Sequence, residues 1–180
     1  MKKSLLRANE GLTDATSPAQ PSGDISEAYD RHIETVYRVC YSLTGNRQDA
    51  EDAAQSVFIK LMESGKSFHD AEHEKAWLIV SARNRCRDLH RRWWKKKVVS
   101  LDPHAIVRTG ADDDRHKSKL EDNLRKLPAT YRLLLYLYYY EGYKLAEIAA
   151  ILQLNLNTVK TKMRSARKQL KLEIGGDDHA

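Results

Sequence analysis

Lys144–Lys171, KLAEIAAILQLNLNTVKTKMRSARKQLK, is the stretch from which the rest of the chain is read. Leu145, Ile148, Ala149 and Leu152 recur at helical spacing, and the small Ala149 leaves room for a second helix to cross closely. The pattern breaks at Gln153-Leu154-Asn155, after which Asn157 or Thr158 offers a side-chain oxygen to cap a new helix. The apolar stripe of that helix is Val159, Met163, Ala166 and Leu170. At about 100° per residue, Lys160, Arg164, Arg167 and Lys171 form a column beside the stripe, while Thr161, Ser165 and Lys168 point away from it. No acid interrupts the run from Asn157 to Lys171, so the outer surface is positive and suits phosphates and base edges. Two helices across a tight turn, the second one basic, make the arrangement that seats a helix in the major groove of duplex DNA. The alternative is an amphipathic hairpin with a solvated basic face. Correct apolar spacing on both sides of the turn, with acids missing from one helix only, favours DNA. Such turns usually carry glycine where Gln153 stands, so Gln153 is expected in a left-handed backbone that costs it more than glycine.

Composition agrees with an all-α protein. The 180 residues are 41% hydrophobic, and 8 glycines and 4 prolines leave long uninterrupted segments rich in Ala, Leu, Lys, Arg and Glu. That length allows one domain or two small ones. The net charge of +6 fits a polyanion partner without choosing between DNA and RNA. Cys40 and Cys86 stand far apart inside apolar helical patterns, which predicts core packing for each rather than a disulfide framework. Leu5 and Leu6 are followed at once by Arg7, and no long apolar run occurs, so neither a signal peptide nor a membrane span is expected. A cytoplasmic protein with reduced thiols follows, and nothing calls for a cofactor or metal.

Taken from the start, residues 1–24 are polar and predict a mobile tail. Tyr29, Ile33, Val36, Tyr37, Cys40 and Leu43 then keep helical spacing up to Gly45, placed to end the helix. A second helix begins at Asp49, whose carboxylate can cap it, with Ala50, Ala54, Val57, Phe58 and Leu61 inward and Asp49, Glu51, Asp52 and Gln55 crowding its first turns. Acids there complement the helix dipole, so a partner surface is one of two readings. A third helix over about 74–97 has a stripe of Leu78, Ala82, Cys86, Leu89 and Trp93, and a basic second half in which Trp93 and Trp94 are embedded. Interleaved cations and aromatics can hold a backbone and stack unpaired bases. Trp93, on the stripe, is read as core; for Trp94 the two uses are balanced. Residues 98–117, with Pro103, Gly110 and Asp112–Asp114, read as a flexible linker. Leu120, Leu124 and Leu127 begin a second domain, Pro128 opens its next helix, and Tyr131, Leu134, Leu135 and Tyr138 are expected inside before the stop at Gly142. The tyrosines are read as core. Residues 173–180 form a polar tail.

In this order the pieces resemble the bacterial RNA polymerase sigma factors, specifically the short two-domain extracytoplasmic-function (ECF) group. Three stretches carry the resemblance: DAEDAAQSVFIKL at Asp49–Leu61, KAWLIVSARNRCRDLHRR at Lys75–Arg92, and Leu127–Leu170 with the helix-turn-helix. The resemblance implies a region 2 domain over 25–97 and a region 4 domain over 118–172. It implies that the acidic helix docks on the β′ clamp of core RNA polymerase through Asp49, Glu51, Asp52, Gln55 and Phe58, with a further contact to the β flap. Arg83, Asn84, Arg87, Asp88, Arg91, Arg92 and Trp94 would handle the opened minus-10 element, with a flipped base held by the loop at roughly 64–73. Thr158, Lys160, Thr161, Lys162, Arg164, Ser165, Arg167 and Lys168 would read the duplex minus-35 element. An anti-sigma factor is an expected further partner. Ser165 stands where the family pattern often has Arg, and HRRWWKKK is more aromatic than the common ending.

Two other functions compete. A stand-alone helix-turn-helix regulator would use its N-terminal domain to sense a ligand or dimerise, which the acidic helix followed by a basic Trp helix argues against. A metal-dependent nuclease would need His69, Asp70 and His73, or Asp112–Asp114 with His116, as ligands at spacings common by chance.

Overall fold

The computed structural model describes residues 25–99 and 119–175, with side chains described over 25–92 and 123–171. The chain divides into two units, Met1–Gly110 and Ala111–Ala180. Among the described residues every regular element is helical. The expected N-terminal tail, residues 176–180 of the C-terminal one, all of the linker except Val98 and Val99, Asp112–Asp114 with His116, and the side chains of Trp93 and Trp94 lie outside the described residues; residues 173–175, expected in the polar tail, continue the last helix.

The first unit holds α1 (Ile25–Thr44), α2 (Arg47–Ser64) and α3 (Ala71–Val99), with α1 packed on both of the others. Its core line on α1 is Ala28, His32, Val36, Val39, Cys40 and Ser42. This differs from the expected set, because Tyr29 is 43% exposed and Ile33, Tyr37 and Leu43 are half-buried. The face is turned toward a histidine because His32 has a buried partner. Its Nε2 lies 2.9 Å from Glu74 Oε1 on α3, and Arg31 Nη2 reaches the same oxygen at 3.4 Å. Ala50, Ala53, Ala54, Val57, Phe58 and Leu61 of α2 and Ala76, Leu78, Ile79, Ala82 and Cys86 of α3 complete the core. Three alanines on the inner face of α2 let the helices approach closely. Cys40 and Cys86 are both buried and free, as core packing requires. The neighbouring Cys86 thiol, then burial, raises the Cys40 pKa and keeps that thiol protonated.

Local capping corrects two expected starts. The N-cap of α2 is Asn46, extended at φ −139° and ψ 153°, whose Oδ1 accepts from the Asp49 backbone N–H at 2.8 Å. Asp49 sits inside the first turn and accepts from Asn46 Nδ2 at 2.6 Å, a reciprocal pair that satisfies an orphan backbone donor. α3 begins at Ala71, earlier than expected, because Asp70 Oδ1 accepts from His73 N–H at 2.7 Å. Gly65, at φ 56°, ends α2 in the left-handed conformation that favours glycine.

The second unit holds α4 (Lys119–Lys126), α5 (Ala129–Leu135), a π-helical turn (Tyr136–Tyr140), α6 (Leu145–Leu152) and α7 (Leu156–Gly175). Pro128 stands at the N-cap of α5, and Gly142 (φ 73°) lies in the stop that follows the π turn. Leu127, Leu133, Leu134, Leu135, Leu137 and Tyr143 are buried with Ile148, Ala149, Ile151 and Leu152 of α6 and Val159, Met163 and Ala166 of α7. Arg132 Nη1 donates to the carbonyls of Leu127 at 2.6 Å and Arg125 at 3.1 Å, tying the end of α4 to α5. The tyrosines depart from expectation: Tyr131 and Tyr138 are half-buried, while Tyr139 and Tyr140 are 64% and 59% exposed. Leu137, three residues after Leu134, takes the inward position on this turn, and Tyr139 and Tyr140 fall on its outer side.

Candidate nucleic-acid interface

The turn between α6 and α7 is built on Gln153, which adopts φ 52° and ψ 45° as its sequence position demands. Gln153 N–H donates to Ala150 O at 3.2 Å and Leu154 N–H to Ala149 O at 2.9 Å, so the last carbonyls of α6 are satisfied. At the other end of α6, Glu147 Oε2 accepts from Lys144 N–H at 2.8 Å. The cap of α7 is Asn155, two residues before the expected Asn157: its Oδ1 accepts from Asn157 N–H at 2.8 Å. The helix therefore starts earlier, and Thr158 lies within its first turn. Thr161 Oγ1 donates back to Asn157 O at 2.9 Å, which commits its hydroxyl proton and leaves lone pairs for a partner.

On α7 the expected inward stripe is buried at Val159, Met163 and Ala166. Thr158, Lys160, Thr161, Arg164, Arg167, Lys168 and Lys171 are exposed, and Lys162 and Ser165 are half-buried on the flank. Six cations within three turns, without an intervening acid, give a surface of one sign. Arg167 is distinct among them. Its guanidinium carbon lies 5.1 Å from the centroid of Tyr138 and 5.5 Å from that of Tyr139.

In the first unit, Asn84, Arg87, Asp88 and Arg91 follow one another at i, i+3, i+4 and i+7, so they share the outer face of α3. Arg87 and Arg91 are exposed; Asn84 and Asp88 are half-buried. Asp88 pairs with Arg91 at 3.5 Å and so orients a cation of the same face. Arg83 is half-buried, and burial followed by the like charge of Arg87 lowers its pKa from the ordinary value. Arg92, one helical turn after Asp88, is exposed on the flank of the same face, and the Trp94 side chain lies outside the described residues.

The segment before α3 is held by rings. Phe68 lies edge-on to His73 at 5.5 Å and tilted on Trp77 at 5.7 Å, His69 stacks on His73 at 5.7 Å, and Lys60 Nζ sits 5.6 Å above Trp77. Burial, then the neighbouring His69, lowers the His73 pKa. Sequence reasoning bounded this loop too widely and overlooked Phe68 and Trp77, whose signal was two aromatics flanking a predicted loop. Of the first nuclease ligand set, Asp70 is engaged as a helix cap through Oδ1. Among the described residues no group of three or more His, Cys, Asp or Glu could hold a metal.

On α2, Asp49, Asp52 and Gln55 are exposed and Glu51 pairs with Arg47 at 2.8 Å. Phe58 is not with them: it is 7% exposed, with its ring 4.8 Å from Tyr29, so it belongs to the core of the unit. Two apolar residues unnoticed in the sequence take its place on the outer face. Gln48, Asp52, Gln55, Ile59 and Met62 follow at helical spacing, and Ile59 and Met62 are 50% and 60% exposed. A stripe of one carboxylate, two amides and two large apolar groups has the make-up of a protein-binding face.

Comparison with known proteins gives these faces a family. A sigma-70 region 2 family model matches residues 28–96, and a sigma-70 region 4 model matches residues 117–170. The ECF RNA polymerase sigma factor SigM of Bacillus subtilis is 30% identical over 154 residues, covering 82% of this chain and 93% of SigM. This chain belongs to the sigma-70 family, in its ECF group. The ECF sigma factor SigE of Mycolicibacterium smegmatis is 33% identical over 169 residues, which cover 88% of this chain; the chain spans 64% of the length of that relative. The sigma factor RpoE of Bartonella quintana, solved in complex with the anti-sigma factor NepR, shares the fold at a TM-score of 0.65 and 22% identity, over 86% of this chain and 98% of that one. Sigma factors are transcription initiation factors rather than catalysts. No described helix of this one is long and apolar enough to cross a membrane.

Proposed function

We propose that this sigma factor docks on core RNA polymerase through the outer face of α2 and directs promoter-specific initiation through two DNA-handling faces. Residues 25–97 act as the region 2 domain, 98–117 as a flexible linker and 118–172 as the region 4 domain. Asp49, Glu51, Asp52 and Gln55, extended by Ile59 and Met62, meet the β′ clamp, while region 4 meets the β flap. Asn84, Arg87 and Arg91, with Arg83, Asp88, Arg92 and Trp94 around them, hold the opened minus-10 strand, and the ring cluster of Phe68, His73 and Trp77 supports the loop that takes a flipped base. Lys160, Thr161, Lys162 and Arg164 read the minus-35 element, with Thr158, Ser165, Arg167 and Lys168 beside them. The protein has no catalysis of its own and works in the cytoplasm. An anti-sigma factor restrains it, a reading supported by the relative RpoE having been solved with one.

The observation that carries this reading is the separation of chemistry by helix. The exposed face of α2 is acidic, amide and apolar, whereas those of α3 and α7 are cationic. A free-standing duplex binder has no use for the first. Pull-down of core polymerase by the full chain, followed by run-off transcription from genomic fragments, tests it: the chain should confer start sites that core lacks. Tight, specific binding to a duplex operator without polymerase would sink the proposal.

A further inference from the structure

We infer that Tyr138 and Tyr139 are positioning residues for Arg167, holding its guanidinium ready to meet a DNA phosphate beside the base-reading end of α7. The inference rests on the proposed reading of α7 as a DNA-contacting helix. Arg167 is exposed, lies on the same column as Lys160 and Arg164, and stands two turns after Lys160, about 10 Å further along the axis. In helix-turn-helix docking the first residues of the recognition helix reach base edges, so a cation this far along is placed for the backbone. An exposed arginine samples many rotamers, and binding must freeze them. Here the two rings restrict it beforehand, at 5.1 and 5.5 Å from the guanidinium carbon, within the reach of a cation–π contact.

The local backbone explains how consecutive residues can share one cation. Neighbouring side chains on an α-helix diverge by about 100°, which would send the second ring away from Arg167. The π-helical turn over Tyr136–Tyr140 winds more widely and narrows that divergence. It leaves the two rings nearly perpendicular, at 82° with centroids 5.0 Å apart, so both can touch the guanidinium. The turn is fixed from its ends by Tyr143 N–H to Leu137 O at 3.0 Å and by the hydrogen bond from the Tyr136 hydroxyl to Glu141 Oε1. The exposure of Tyr139, 64%, has no packing explanation and is accounted for by this role.

The test uses the full chain and an end-labelled duplex of mixed sequence, with affinity measured by fluorescence anisotropy over a salt series. Arg167→Ala should lower the slope of log K against log salt by about 0.9, the signature of one lost phosphate contact. Tyr139→Leu should leave that slope unchanged, because the charge remains, yet weaken binding by about 2- to 5-fold, the equivalent of an exposed cation–π contact. Tyr139→Phe keeps the ring and should bind as wild type. In the Arg167→Ala background, Tyr139→Leu should cost nothing further. Tyr139 is exposed, so its loss opens no cavity, and a melting curve indistinguishable from wild type confirms the fold. If Arg167→Ala leaves affinity and slope unchanged, the DNA-contact reading of this position fails and the inference with it. If Arg167→Ala behaves as stated but Tyr139→Leu is silent, or is equally damaging without Arg167, positioning alone is overturned.

Discussion

Replacing Gln153 with glycine should stabilise the second unit, and the size of the gain follows from the backbone. Gln153 is the one non-glycine residue with positive φ among the described residues, at 52°. A left-handed conformation costs an L-residue about 1–2 kcal/mol. Glycine escapes that cost, although its freer unfolded chain returns about 0.5–1 kcal/mol. The side chain is exposed, so removing it uncovers no core. The net expectation is a gain of about 0.5–1 kcal/mol. Gln153→Val makes the opposite prediction, since a β-branched residue tolerates positive φ worst, and should cost about 1–2 kcal/mol. Native-state hydrogen exchange on the full chain localises the effect to this unit. The core amides of Val159, Met163 and Ala166 should exchange about 2- to 5-fold more slowly in Gln153→Gly and faster in Gln153→Val. Faster exchange in the glycine variant would mean that the Gln153 side chain contributes more than its backbone costs, refuting the strain argument.

Three further outcomes follow from the proposed faces and from His32 and His73. Asp52→Ala, Gln55→Ala and Ile59→Asp should each weaken the complex with core polymerase by about 1–2 kcal/mol at every promoter, read by competition for core against a second sigma factor; Phe58→Ala should instead lower thermal stability, because its ring is in the core. Lys160→Ala and Arg164→Ala should leave core affinity intact and reduce use of the minus-35 element, by about 1–3 kcal/mol where a base edge is lost, as scored by transcription from templates varied in that element. Burial lowers the His32 pKa below 6.5 against the opposing pull of Glu74, and Arg31 and Lys75 lower it further; the His73 pKa is lowered too. Both rings therefore stay neutral in the fold where the unfolded chain takes up protons, so their contribution is complete above pH 6.5 and declines as pH falls through that value. Melting temperature should drop over roughly pH 7 to 5.5, with a shallower drop in His32→Asn, and a flat or rising profile would contradict this.

What could be read from the sequence depended on whether the signal was local and periodic. The stripe Val159-Met163-Ala166 and the left-handed Gln153 were legible because spacing and turn geometry fix them within a few residues. The caps were misplaced by a few residues, at Asn46 rather than Asp49 and at Asn155 rather than Asn157, since several Asx and Thr residues compete at each helix start and only backbone geometry chooses. The inward face of α1 was misread because hydrophobicity ranks Tyr29 above His32, while burial of His32 depends on Glu74, distant in sequence and supplied by α3. The π turn has no sequence signature of its own, so the approach of the Tyr138 and Tyr139 rings to Arg167 of α7 was out of reach. Ile59 and Met62 were passed over although periodicity already placed Phe58 inward: the docking role was given to Phe58 as well, and the outward apolar pair was left unassigned.

Each proposed face in this sigma factor is the outer side of a helix whose inner side is core, and this governs which substitutions can diagnose function. On α2, Asp52, Gln55 and Ile59 alternate with Ala53, Ala54, Val57 and Phe58, so a one-residue shift in choosing a target moves it from the proposed docking surface into the packing. A large-to-small change inside costs about 2–5 kcal/mol and would abolish core binding and DNA binding together. On α7 the same holds for Met163 against Arg164, and on α3 for Cys86 against Arg87. Loss of transcription from a single variant therefore carries no assignment. Division of labour between α2 and α7 is established only by a pair of exposed-face variants that fail in different assays, Gln55→Ala losing core polymerase with minus-35 preference unchanged and Arg164→Ala the reverse. Failure of both variants in both assays, with melting temperatures unchanged, would mean that the two faces act as one binding surface.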